Sequence, residues 1–164
     1  MSRPRQRTAA ADRRFAFVSS MGVDYRAEVE QLLFFNPRQS AVRARIVEVI
    51  SLYGRPVLHE HGAMLRVSVG KLEHVQTLYV LDESKPDAPV LCGAMMFFRV
   101  PADALFVLHL AVRPAYAWSG RYGRALLVPR MVQELMRIAR HIKGVKRLVL
   151  AYGKSLQELR IQEH

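Results

Sequence analysis

Leu108-His109-Leu110-Ala111-Val112-Arg113-Pro114-Ala115-Tyr116, and two residues later Ser119-Gly120-Arg121-Tyr122-Gly123-Arg124-Ala125-Leu126-Leu127, is the stretch on which the reading of this chain turns. An apolar run stops at a proline, a basic turn with glycines follows, and a helix opens. The pattern predicts a strand that feeds a helix N-terminus through a loop suited to an anion. A helix start presents unpaired backbone N–H groups and the positive end of its dipole, and phosphate is the natural guest.

Outward from that stretch, hydrophobic periodicity orders the rest of the chain. Phe15–Ser19 reads as a short strand. Asp24 caps a helix reaching about Phe35, with Val29, Leu32 and Leu33 inward. Asn36-Pro37 ends it and starts a second helix, with Val42, Ile46, Val49, Ile50 and Tyr53 on one face and Gly54 at its end. The period then changes to two. Val57–His61 and Met64–Val69 flank a Gly62-Ala63 turn. Leu78–Asp82, Val90–Val100 and Ala104–Val112 follow as strands, and their short connections predict antiparallel neighbours. A long helix is expected from about Gly120 to Ile142, with Leu127, Met131, Leu135, Ile138 and Ile142 as its buried stripe and Pro129 as a kink or late start. Lys146–Tyr152 is then a strand lying parallel to Ala104–Val112 by a right-handed crossover. The fold class is α/β in the α+β sense: an antiparallel meander plus one strand–helix–strand unit in a mixed sheet covered by helices.

The chain has 164 residues, 51% of them hydrophobic, which fits one packed domain over residues 15–164 behind a disordered basic tail, 1–14. No apolar run is long enough to span a bilayer, so no membrane is expected. The basic N-terminus ahead of Phe15–Val18 resembles an export signal only faintly, because that apolar stretch is too short. Cys92 is the single cysteine, which rules out an internal disulfide and fits a reducing, cytoplasmic setting. The net charge is +11, and between Arg113 and Arg147 nine Lys or Arg residues face only Glu134. Such a concentration suits an anionic ligand, either a phosphorylated cofactor or a nucleic acid.

With this order of elements and this loop, the chain resembles the GNAT superfamily of acyl-CoA-dependent N-acyltransferases. The resemblance rests on Leu110-Ala111-Val112-Arg113-Pro114-Ala115-Tyr116, on Gly123-Arg124-Ala125-Leu126-Leu127, and on the element order from Leu78 to Tyr152. It implies acetyl-CoA, or another acyl-CoA, as co-substrate and a small-molecule or protein amine as acceptor. Leu110, Ala111 and Val112 would pair with pantetheine through their backbones. Trp118, Ser119, Gly120, Arg121, Tyr122, Gly123, Arg124 and Ala125 would hold the pyrophosphate. The family's strand before the loop bulges and splays from the strand after the helix, and pantetheine lies in the gap.

The sequence departs from the family pattern at several points. Arg121 stands where the first glycine is usual, Trp118 where Gln or Arg is usual, and Leu108 where many relatives carry glutamate. Lys154–Leu159 holds no tyrosine to act as general acid, and the usual final helix and strand pair are absent. Either Val57–Val69 supplies compensating strands or a second subunit covers the edge left by Lys146–Tyr152; an uncovered edge invites pairing, which predicts a homodimer. His109 is the candidate general base, with its side chain facing away from Leu108's unless a bulge turns it. His59 and His61 share a strand face with His74 nearby, but without a clear third ligand no metal is expected. Cys92 reads as a buried structural thiol rather than a nucleophile. The sequence therefore supports an N-acyltransferase, with two alternatives: a non-catalytic GNAT-like acyl-CoA or protein-binding module, and a basic nucleic-acid-binding protein.

Overall fold

The structure is a computed structural model, and it describes residues 13–101, 103–150 and 156–161. Its main sheet has six strands in the order β1 (Phe15–Val18), β5 (Gln76–Asp82), β6 (Val90–Val100), β7 (Ala104–Val112), β8 (Arg147–Leu150), β9 (Gln157–Arg160). All neighbours are antiparallel except β7 and β8, which run parallel. A parallel pair needs a crossover, and α3 (Leu127–Arg140) supplies it. A second, three-stranded sheet has the order β2 (Met21–Gly22), β4 (Met64–Val69), β3 (Pro56–His61). Gly62 at φ 61° forms the β3–β4 turn where the sequence placed it. Helices α1 (Arg26–Leu33) and α2 (Arg43–Tyr53) lie between β2 and β3 in the chain. The protein is mixed α/β, with a mixed sheet.

Apolar side chains leave the main sheet on both faces, so there are two cores. One gathers Leu78, Val80, Leu105, Val107, Leu110 and Val112 against Leu127, Met131, Leu135 and Ala139 of α3. The other packs Tyr79, Met96, Leu108 and Ala111 against Val29, Leu32 and Leu33 of α1 and against β4. Near-continuous burial along β6 and β7 is what a strand covered on both faces requires.

Two expectations are corrected. The long helix begins at Leu127, not near Gly120, and its stripe closes on Ala139, with Ile138 and Ile142 only partly buried. Residues 114–126 instead form two short 3-10 turns, Pro114–Tyr116 and Gly123–Ala125, ending at Leu126 in the left-handed region with φ 53°. Proline at 129 is tolerated because it falls in the helix's first turn, where no intrahelical donor is needed. Second, β9 pairs with β8 from Arg147↔Arg160 to Leu150↔Gln157, so the edge of β8 expected to lie open is covered within the chain. Of the expected tail, residues 13 and 14 are described. Arg13 pairs with Asp82, and the Glu83 amide donates to the Arg14 carbonyl at 2.9 Å. The remainder of the expected tail, 1–12, lies outside the described residues, as does the end of the expected strand at Tyr152.

Candidate functional site

The site is built where β7 stops behaving as a regular strand. Met96 opposes His109, but Phe97 opposes Val107, so Leu108 is an extra residue bulging from the ladder. The phase of alternation flips there. Leu105 and Val107 face α3, and beyond the bulge Leu110 and Val112 do, while Leu108 and Ala111 face α1. The bulge thus turns His109 onto the α1–α2 side, the same side as Leu108.

On the other edge of β7, the described pairing with β8 covers the first part of the strand. Their parallel pairing runs from Ala104↔Arg147 to Val107↔Leu150. Among the described residues, positions 108–112 have no strand on that edge. The Arg113 amide donates to Cys92 O at 2.9 Å on the β6 side. Alternation along an antiparallel ladder then turns the polar backbone groups of Val112 and Leu110 the other way, toward the edge opposite β6. Asn36 Nδ2 confirms the direction for Val112: it donates to that carbonyl at 2.8 Å. A cavity of about 370 Å³ opens there, lined by His109, Leu110, Ala111, Val112, Trp118, Asn36, Gln39 and the α3 residues Val128 and Pro129.

A second cavity, of about 420 Å³, lies on the other side of His109, between α2 and the sheet. Gln39 and His109 belong to the walls of both. Gln39 Nε2 stands 3.5 Å from His109 Nε2 and also donates to the Leu33 carbonyl. Burial drives the His109 pKa down to about 4, against a hydrogen bond to the Leu33 carbonyl that raises it. The imidazole is therefore neutral near pH 7. It can accept a hydrogen bond, but its conjugate acid is too strong to hold a proton taken from an ammonium.

The basic loop is shaped by its own contacts. The amides of Gly120, Tyr122, Gly123 and Ala125 donate to the carbonyls of Ala117, Ala115, Gly120 and Tyr122 at 2.7–3.0 Å. They are used inside the loop rather than presented together as an anion cradle. Its glycines have a steric explanation of the same kind. A Cβ on Gly120 would lie 2.2 Å from Pro114 O, and one on Gly123 would lie 2.1 Å from Trp118 O. Of the eight loop residues read as cofactor-binding, Trp118 lines the cavity, 82% exposed at its mouth, and Ser119, Gly120, Arg121, Tyr122, Gly123, Arg124 and Ala125 do not. Arg121 lies against the Tyr122 ring, 5.3 Å from its centroid.

A clamp that the sequence did not announce holds this loop to the sheet. Asp82, at the end of β5, is 2% exposed. It accepts hydrogen bonds from the Tyr116 hydroxyl at 2.6 Å, from the Ser84 amide at 2.9 Å, and from Arg13. Burial pushes its pKa upward, but the hydrogen bonds from Ser84, Tyr116 and Arg13 prevail and bring it to about 2. The Arg13 guanidinium also covers the Tyr122 ring at 3.5 Å. The only advance signal was a carboxylate closing an apolar strand.

Other sequence candidates stay apart from this site. Cys92 is buried, its thiol donates to Val80 O at 3.3 Å, and burial raises its pKa to about 12, which suits a structural thiol. His59 meets Ser68 Oγ at 2.7 Å. Among the described residues, no group of three His, Cys, Asp or Glu side chains is placed to hold a metal ion, and no helix is long and apolar enough to cross a membrane. Comparison with protein-family models, with curated proteins and with solved structures gave no match to the chain.

Proposed function

We propose that the protein is a GNAT-like acyl-CoA-dependent N-acyltransferase, with the pantetheine arm in the gap between β7 and β8. One observation carries this reading: β7 bulges at Leu108, and beyond the bulge Leu110 and Val112 line a cavity on the edge turned away from β6. An extended amide-bearing arm would add to that edge as a short strand does. The thioester would then come to rest near His109 and Gln39. The amine nitrogen bonds to the carbonyl carbon, the C–S bond breaks, and the amine's proton goes to the departing sulfur or to water. His109 serves this step as a neutral hydrogen-bond acceptor that orients the amine. Charge recognition of the diphosphate falls to exposed guanidinium groups such as Arg121 and Arg124, because four loop amides are already engaged.

That engagement, with the low basicity of His109, favours a second reading, a GNAT-like module that binds an acyl-CoA without turning it over. The basic run from Arg113 to Arg147 keeps nucleic acid as the third reading. Calorimetry with acetyl-CoA separates the first two from the third. Micromolar-range binding, lost in Val128→Trp because the indole fills the gap, supports the β7–β8 site. Thiol release with a panel of amines then separates enzyme from binder. No heat with the folded parent, together with steeply salt-dependent binding of DNA or RNA, overturns the acyl-CoA reading.

A further inference from the structure

We infer that the cavity under α2 receives the acyl chain of the donor, so that the preferred thioester carries a medium-length hydrocarbon chain rather than an acetyl group. The inference rests on the acyl-CoA reading above and deepens it. The cavity of about 420 Å³ meets the β7–β8 gap at His109 and Gln39, where the thioester carbonyl would lie. Beyond that junction its walls are apolar: Leu33, Phe34, Ile46, Val49, Met96 and Leu108. Among the described residues no carboxylate lines it, so a protonated amine would enter without a counter-charge from them, at a heavy desolvation cost. Arg55, next to the end of α2, adds a permanent positive charge to its wall, which disfavours an ammonium further.

The helix above the cavity points the same way. α2 has an apolar face of Ile46, Val49 and Ile50, yet none of its residues is fully buried. The cavity lies between that face and the sheet, so the face is only partly covered. A hydrocarbon chain would complete its burial, and each methylene removed from water would tighten binding by up to about fourfold.

The test is a chain-length series. Acetyl-, butanoyl-, hexanoyl- and octanoyl-CoA are titrated calorimetrically into the whole protein. The expected result is an affinity that climbs with length, octanoyl-CoA binding at least about a hundredfold tighter than acetyl-CoA. In Val49→Trp, which fills the cavity from α2, that advantage should collapse to less than about fivefold. Ile50→Phe, a smaller change on the same face, should shorten the preferred chain and gives a reading if the indole unseats the helix. Equal affinities across the series in a protein that does bind CoA thioesters would overturn the inference and leave the β7–β8 site standing. A climb that Val49→Trp and Ile50→Phe both leave unchanged would also overturn it, since the chain would then lie elsewhere. Absence of binding by every member would overturn both.

Discussion

Acidification should unfold this protein in a way that one side chain controls. His109 is held near pKa 4 by burial, whereas an imidazole in the unfolded chain titrates near 6.5. Between those values the unfolded state binds the proton and the folded state does not. Stability contributed by the neutral ring is therefore full above pH 6.5 and is lost as pH falls toward 4. For a fully sheltered ring the loss by pH 4.5 is about 2.5 kcal/mol. The ring edge opens on two cavities, which reduces the expected loss to about 1.5–2.5 kcal/mol. The perturbation is His109→Gln, which keeps a polar group beside Gln39 and the Leu33 carbonyl but cannot titrate. Urea unfolding of parent and variant is followed at pH 7.5, 6.0 and 4.5. The parent should lose about 2 kcal/mol more than the variant over that range. Parallel pH profiles would refute the buried, neutral imidazole, and would restore His109 as an ordinary general base with a pKa near 6.5.

The Asp82 clamp, the loop glycine and the strained helix start each yield a further outcome. Asp82→Ala leaves the Tyr116 hydroxyl and Arg13 without their acceptor and should cost about 3–5 kcal/mol in chemical denaturation at pH 7. In the parent, the depressed Asp82 pKa makes its contribution complete above about pH 4 and lost as pH falls toward 2, so the Asp82→Ala difference should shrink below pH 3. Gly123→Ala, whose Cβ would meet Trp118 O, should lower the melting temperature as much as Gly123→Glu does. A large effect of the glutamate alone would show that the position acts through charge. Leu126→Gly removes a left-handed leucine that is already 42% exposed and should stabilise by about 0.5–1 kcal/mol; a loss of stability would mean that its packing outweighs the backbone strain.

Much of the fold was legible in the sequence because local pattern and burial agree there. Val90–Val100 and Ala104–Val112 are bounded by turn residues that permit little else, and the strands end where the pattern does. Val29, Leu32 and Leu33 face inward on α1 at helical spacing. What escaped was decided by partners distant in the chain. Gly120 looked like a helix start, yet carbonyls at 114, 115, 117 and 118 crowd Gly120 and Gly123 and fold the segment into turns. Strand β9 carries two charged residues of four, Glu158 and Arg160, and gave no apolar alternation to read; it holds to β8 partly through Arg147 and Glu158 at 2.9 Å. At the candidate site, His109 and Leu110–Val112, named from sequence, line the cavity. Asn36, Gln39 and Val128 were not so named, since each reads locally only as a helix boundary or interior. The bulge that reorients His109 is a property of two strands together, and one strand's sequence does not display it.

The backbone edge of Leu110 and Val112 as a pantetheine site is tested most directly by amide resonances. A nitrogen-15-labelled chain titrated with coenzyme A should show the Leu110 and Val112 amides shifting in slow or intermediate exchange and gaining protection from solvent hydrogen exchange. Those of Leu105 and Val107, within the paired part of the strand, should stay in place. Saturable binding with shifts confined to the arginine-rich surface, and with Leu110 and Val112 unmoved, would contradict the account.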